Sequence, residues 1–153
     1  MYTITKQFKF TAKFQLTGFP VDHPYTQLQT KEFMVIFYLT SVSLNKNGYI
    51  MDYMEFYSIE NFILAELQGK TLNNVFKFNP TLENMAKFFF KRFKKTYHFI
   101  SAVTVVENNI SARFVLSHDE EDHIDTETKP EEMRTEFRKK LFKNTIVKKV
   151  VSK

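Results

Sequence analysis

An isolated carboxylate at the end of an apolar run is the first feature that points to chemistry. The run VTVVE begins at Val103 and ends at Glu107, which places this acid at the edge of an expected core. Burying an unpaired carboxylate is costly, so a buried Glu107 needs a partner. That partner is either a bound ligand or a structural lysine or arginine. The plainer alternative is an exposed acid beside the turn that follows the strand.

A second acid, Glu83, lies in the segment NPTLEN, where a helix is expected to begin. Pro80 suits the first turn of a helix, because proline lacks an N–H group that the first turn leaves unpaired. An acid in the first turn is favoured by the helix dipole. Helix stability alone therefore explains Glu83 without invoking a site.

Donors for a metal or for nucleophilic catalysis are scarce. The chain has no cysteine, which excludes a thiolate nucleophile and a cysteine-ligated zinc. His23 is a lone loop histidine. His118 and His123 lie in SHDEEDH, which could hold a divalent ion loosely but is expected to be a solvated acidic linker. We therefore expect neither a metal nor another cofactor.

Hydrophobic periodicity predicts the elements that position these residues. Strands are expected over 2–16, 33–44, 99–107 and 110–116, with a loop over 17–31 and helices beginning near Asp52 and Pro80. This order predicts an α+β fold, in which a four-stranded antiparallel sheet carries a helix pair on one face. The strand from Phe33 to Leu39 is apolar on both faces, so it is expected to be covered on both sides.

The chain is expected to divide into a domain over residues 1–116 and an extension over residues 117–153. The extension opens with an acidic linker over residues 117–128. A short helix is then expected, with Met133, Phe137 and Leu141 on one apolar stripe.

Four segments of the first domain resemble the 6-pyruvoyl-tetrahydropterin and 6-carboxy-tetrahydropterin synthases, in order and in spacing. They are FKFTAKF (8–14), GYIMDYMEF (48–56), LQGKTLN (67–73) with NPTLEN (79–84), and VTVVENN (103–109). The resemblance implies the T-fold, the family's ββααββ arrangement. In that family, sheets from several subunits join edge to edge into a barrel. It therefore implies self-association as a trimer or as a hexamer of two trimers.

The resemblance also implies a zinc site and a proton relay, and here this sequence departs from the family. The three zinc-binding histidines of the family align with Phe14, Gln29 and Lys31. The Asp-His pair of its relay aligns with Gln68 and Gly69, and the relay cysteine has no counterpart. Because every reactive group is replaced, we expect the zinc-dependent synthase chemistry to be absent.

The positions that hold the pterin ring in the family match Thr81, Glu83 and Glu107. A pterin presents an amino group beside a ring N–H, and a carboxylate can accept both hydrogen bonds in bidentate fashion. The resemblance thus implies a protein that binds a pterin-like or purine-like ring without the synthase reaction. Two alternatives stay open: a structural or regulatory partner subunit of an active paralogue, and an active synthase (a lyase) with altered groups.

Charge and hydropathy bear on partners and location. The net charge is +5, and the run KFFFKRFKK (87–95) mixes basic and aromatic residues as single-strand binders do. Its phenylalanines fit a helical core stripe, so nucleic acid is not favoured as a partner.

No apolar run is long enough to span a membrane, and the N-terminus is unlike a secretory signal. We therefore expect a cytoplasmic protein.

Overall fold

A computed structural model describes residues 1–117 of the chain, which form one sheet and three helices. The predicted helix with Met133, Phe137 and Leu141, and all but the first residue of the predicted linker, lie outside the described residues. The strands are β1 (Tyr2–Phe14), β2 (Gln29–Ser41), β3 (Ile100–Glu107) and β4 (Ile110–Phe114). The helices are α1 (Tyr57–Glu66), the single turn α2 (Leu72–Val75) and α3 (Leu82–Lys94).

The four strands form one antiparallel sheet in the order β1-β2-β3-β4. The first two strands pair over their whole length, from Tyr2 opposite Ser41 to Phe14 opposite Gln29. A two-residue turn joins β3 to β4, and its first residue, Asn108, has a φ of 53°. Asparagine tolerates this left-handed conformation better than most residues. The predicted α+β fold and the predicted hairpin are confirmed.

The core lies between one face of the sheet and the helices. Alternate residues of the strands supply the sheet side, while α1 and α3 supply the other side through residues at helical spacing. The fully buried large side chains include Phe10, Phe33, Phe37, Ile59, Ile63, Leu67, Met85, Phe89 and Phe90. Most of the phenylalanines in the run 87–95 are therefore core residues, as predicted. Within residues 1–117, no helix combines the length and the apolar character needed to cross a bilayer.

The boundaries differ from the predicted ones at several places. β1, β2 and β4 end two or three residues earlier than predicted, and α3 begins at Leu82, after Pro80. β2 begins at Gln29, so the last three residues of the predicted loop belong to the sheet. Their backbones pair with Ala12, Lys13 and Phe14 of β1, and backbone pairing does not require apolar side chains. Asp52 caps a short 3-10 turn over Tyr53–Phe56, and α1 starts only at Tyr57. The single turn α2 was not predicted.

The sheet face opposite the helices, called here the helix-free face, carries a partly exposed apolar stripe. Met34, Ile36 and Tyr38 of β2 are all half-buried on this face. Val106 of β3 lies opposite Met34 and is also half-buried. β2 is apolar on both faces, and it is expected to be covered on both sides; among residues 1–117 only the helix side is fully covered.

Candidate functional site

Glu107 lies at the end of β3, on the sheet face that packs against the helices. It sits opposite Phe33 of β2, which is completely buried on that face. The Glu107 side chain is 8% exposed. Of the two sequence-based alternatives, the structure therefore selects the buried acid over the acid exposed at the rim. A carboxylate in this position needs compensation by a positive charge or by hydrogen-bond donors.

Lys31 supplies that positive charge. Its Nζ lies 3.9 Å from Oε1 of Glu107, and its side chain is 42% exposed. Lys31 belongs to the face of β2 that also carries Phe33, so the ammonium and the carboxylate meet above the same end of the sheet. The structural lysine considered from the sequence is therefore present. Because Lys31 was placed in a loop, its position beside Glu107 was missed.

The three residues aligned with zinc ligands do lie together, but they do not fit a zinc ion. Phe14 is opposite Gln29, and Lys31 is opposite the neighbouring Ala12. The Phe14 ring is buried and packs edge-on against Phe33, with ring centroids 5.3 Å apart. A phenyl ring has no donor atom, and an ammonium repels a cation. In the part of the chain that the structure describes, no three His, Cys, Asp or Glu side chains are grouped to hold a metal.

The side chain of Gln29, the third of these residues, forms a hydrogen bond within the loop between β1 and β2. Its side-chain amide donates a 2.7 Å hydrogen bond to the carbonyl of Pro24. His23, the lone loop histidine, accepts a 3.3 Å hydrogen bond at Nδ1 from the backbone N–H of Tyr25. The His23 ring stacks on Phe19 at a centroid distance of 4.1 Å. Both residues therefore stabilise the loop between β1 and β2, as expected for a loop histidine.

The two residues aligned with the Asp-His relay bind the backbone of the edge strand β1. The side-chain oxygen of Gln68 accepts a 3.0 Å hydrogen bond from the N–H of Thr11. The N–H of Gly69 donates a 2.7 Å hydrogen bond to the carbonyl of Thr11. Gly69 has a φ of 72°, a left-handed conformation that glycine adopts without strain. These positions therefore protect a sheet edge.

Two asparagines extend this edge protection beyond β1 and were not singled out from the sequence. The amide of Asn73 exchanges two hydrogen bonds with the backbone of Gln15, at 3.0 Å and 2.9 Å. The amide of Asn79 does the same with the backbone of Thr17, with both bonds at 3.1 Å. The only sequence signal for this role was that Asn73 follows a helix and that Asn79 precedes a proline. Asparagines are common at such positions in loops, so the signal was not specific.

Thr81 and Glu83 lie at the start of α3. The hydroxyl of Thr81 caps this helix by accepting a 3.2 Å hydrogen bond from the N–H of Asn84. Glu83 is exposed in the first turn. Because α3 leads directly into β3 and packs on it antiparallel, the start of α3 and the end of β3 lie at the same end of the fold. Glu83 and Glu107 thus share that end, in different layers.

Comparisons with known proteins place this arrangement in a family. The model of the 6-pyruvoyl tetrahydropterin synthase family matches residues 3–117. Among solved structures, the chain resembles the 6-pyruvoyl tetrahydropterin synthase of Caenorhabditis elegans, with a TM-score of 0.67 and 15% identity over 76% of this chain and 96% of that one. A search of the curated proteins finds no match.

An uncharacterised protein of Wolinella succinogenes is similar to a comparable degree. Its structure aligns with a TM-score of 0.65 and 16% identity, over 76% of this chain and 98% of that chain. At these identities the two structures show a shared fold, and the sheet with its helices is therefore the T-fold. The family model covers all of the described sheet and its helices except the first residue of β1, and the chain therefore belongs to the 6-pyruvoyl tetrahydropterin synthase family.

Proposed function

We propose that this protein binds a pterin-like or purine-like ring at Glu107 and does not carry out the zinc-dependent synthase reaction. The observation that carries the proposal is the position of Glu107, an almost buried carboxylate at a strand end with one lysine 3.9 Å away. A carboxylate can accept an amino N–H and a ring N–H together. Such a bidentate contact would use the carboxylate oxygens of Glu107, to which the ammonium 3.9 Å away donates no direct hydrogen bond.

The absence of synthase chemistry is argued from the residues that replace the family's reactive groups. Phe14 is a core side chain, and Lys31 brings a positive charge to the place where a metal would sit. Gln68 and Gly69 are hydrogen-bonded to the edge of β1. Neither can accept and release a proton near neutral pH, so neither can serve as a general acid or base.

Thr81 and Glu83 are the remaining candidates for ring contacts. Thr81 uses its hydroxyl oxygen as a helix cap, and a hydroxyl keeps its own proton for a further bond. Glu83 is exposed at the same end of the fold as Glu107. We propose that Glu83 approaches a ring from the helix layer or from a neighbouring subunit.

We also propose that the chain assembles as a trimer or as a hexamer of two trimers. The half-buried stripe of Met34, Ile36 and Tyr38 supports self-association, because residues 1–117 cover it only in part, with the guanidinium of Arg113 over the Tyr38 ring. The sheet has two edges, at β1 and β4. Joining them between copies would pair the free backbone groups and enclose the helix-free face.

A structural or regulatory partner subunit of an active paralogue is the second candidate. The same stripe and the same open edges support it, because a homologous chain would present a matching sheet. The two candidates differ in what the purified protein does alone. A partner subunit is expected to be monomeric by itself and to assemble only when mixed with the paralogue.

Ring binding is tested by titration calorimetry of the full chain with a panel of pterins and purines. We compare the wild type with Glu107→Gln and with the matched control Glu32→Gln, whose carboxylate forms an exposed ion pair with Lys9 on the helix-free face. Glu107→Gln should weaken binding about tenfold or more, as expected for a lost hydrogen bond to a charged group. Glu32→Gln should leave it unchanged. If none of the rings binds at millimolar concentration, the proposed function is wrong.

A further inference from the structure

The outer face of α1, together with the 3-10 turn before it, carries large apolar side chains. Tyr53 and Met54 precede Tyr57 by about one helical turn, and Leu64 follows by about two, so all four share one face. Among residues 1–117 they are left 46–58% exposed. The ring of Tyr49 extends this surface by packing edge-on against Tyr53, with centroids 5.7 Å apart. We call these five residues the tyrosine stripe. A contiguous exposed surface of large apolar side chains marks an interaction site.

The outer face of α3 has the opposite character. Lys87, Lys91 and Lys95 follow one another at four-residue spacing and are all exposed. None of them forms an ion pair with an acid of residues 1–117. This lysine row is therefore a strip of positive charge that the described part of the chain does not compensate, and it attracts acidic segments.

The lysine row lies between the end of the sheet and the tyrosine stripe. α3 packs on β3 and β4, whereas α1 contacts β1 at the other edge of the sheet. The two helices meet where Phe62 of α1 packs edge-on against Phe93 of α3, with centroids 5.6 Å apart. At the end of β4, Phe114 packs against Phe90 of α3. The chain therefore leaves the sheet beside α3, and α3 separates it from α1.

The residues that follow carry the complementary features in the same order. Residues 118–128 include six acids, namely Asp119, Glu120, Glu121, Asp122, Asp125 and Glu127. The expected helix with its apolar stripe of Met133, Phe137 and Leu141 comes next. An extended segment over residues 118–132 spans up to about 50 Å. Packed helices have axes about 8–10 Å apart, so this segment is long enough to cross α3 and reach α1.

We propose that the tyrosine stripe is the docking site for the C-terminal segment 118–144 of the same chain. Residues 118–128 cross the lysine row, and Met133, Phe137 and Leu141 then pack on the tyrosine stripe. The contact removes apolar rings from water and leaves the tyrosine hydroxyls at its rim. The docking site belongs to the helix layer, so it is separate from the sheet edges and from Glu107.

The charges beside the tyrosine stripe favour this segment over a second copy of α1. Glu60 precedes Leu64 by about one turn, and Glu66 is exposed at the end of the helix. Two stripes in contact would bring these acids together across the interface, and like charges repel. The C-terminal segment instead brings Arg138 and the two lysines that follow it.

The first test uses the full chain, which has no tryptophan, with Phe137→Trp as its single reporter. The emission should lie at shorter wavelength than that of the urea-unfolded chain, because docking removes the indole from water. Adding Leu64→Lys should shift it to the wavelength of the unfolded chain. Leu28→Lys is the matched control, since Leu28 and Leu64 are both 55% exposed and Leu28 lies in the loop between β1 and β2. It should leave the emission unchanged.

The lysine row is tested with the same reporter. Lys87→Glu combined with Lys91→Glu should shift the emission to longer wavelength, because the acids of residues 118–128 are then repelled. Lys46→Glu combined with Lys70→Glu makes the same charge change at exposed positions outside α3 and should have no effect. Circular dichroism establishes that each variant is folded. An emission that starts at the unfolded wavelength, or that responds equally to test and control substitutions, would overturn the proposal.

The second test asks which chain supplies the docked segment. The chain has no cysteine, so Asn61→Cys on α1 and Lys140→Cys introduce the only two thiols. Asn61 is exposed between Tyr57 and Leu64, so the tyrosine stripe stays intact. A short bifunctional maleimide should join the two thiols within one chain, which mass spectrometry detects at the mass of the monomer.

Ser111→Cys takes the place of Asn61→Cys in the control, because Ser111 is exposed opposite Val106 on the helix-free face. It should give no cross-link within the chain. Absence of the product between positions 61 and 140 would overturn the proposal. A product that joins only two different chains would overturn it as well, because the segment would then belong to a neighbouring copy.

Discussion

The side-chain amide of Asn73 pairs with the backbone of Gln15 as a neighbouring strand would, donating a 2.9 Å hydrogen bond to its carbonyl and accepting a 3.0 Å bond from its N–H. Together with Gln68, Gly69 and Asn79, it closes the outer edge of β1 from Thr11 onwards. The residues of β1 up to Lys9 lie beyond the reach of this covering segment. Within residues 1–117, the part of this edge left unpaired is therefore Tyr2–Lys9.

Asn73→Ala should destabilise the protein by about 1–3 kcal/mol, because it removes two hydrogen bonds to the exposed backbone of Gln15, which water then solvates. The measurement is urea denaturation followed by circular dichroism. Asn74→Ala is the matched control, since Asn74 lies in the same helical turn with an exposed side chain. Equal effects of the two substitutions would show that the amide of Asn73 contributes nothing to the edge.

Gly69→Ala should cost about 1–2 kcal/mol through backbone conformation alone. The φ of 72° is unfavourable for any residue with a Cβ, although there is room for that atom, with nothing within 4 Å. Lys70→Ala, one residue further on, serves as the control and should be nearly neutral. A wild-type midpoint for Gly69→Ala would mean that the segment adopts another backbone conformation in solution.

Purified protein should carry no stoichiometric zinc after dialysis. Phe14 has no donor atom, and the ammonium of Lys31 is paired with Glu107. Elemental analysis measures this directly, and a histidine-rich relative with the complete family site provides the positive control. About one zinc ion per chain would show that residues other than those aligned here form a metal site.

The full chain should sediment as a trimer or a hexamer at micromolar concentration. Thr5→Pro should reduce it to a folded monomer, because proline removes a backbone N–H on the open part of the β1 edge. Thr5→Ala keeps that N–H and should assemble normally. Light scattering gives the mass, and circular dichroism establishes that Thr5→Pro is folded. A wild-type monomer would contradict the proposed assembly and would also exclude an approach of Glu83 to the ring from a neighbouring subunit.

The sequence by itself determined the order of the elements and the faces they bury. The alternation in β1 and the helical spacing of residues such as Met85 and Phe89 depend only on local geometry, so pattern and structure agree. The resemblance to the family likewise depended on short segments in order. The absence of cysteine and the identities of Phe14 and Gly69 were visible without any structure.

Only the tertiary structure decided what the substituted positions do. Lys31 and Glu107 are far apart in sequence, and they meet because β2 begins earlier than its apolar residues indicate and pairs with β3 on the same face. Gln68 and Asn73 act on β1 only because the chain between α1 and α3 returns to that edge. Strand register and edge contacts are set by pairing between distant segments, and the pattern of any one segment carries no information about them.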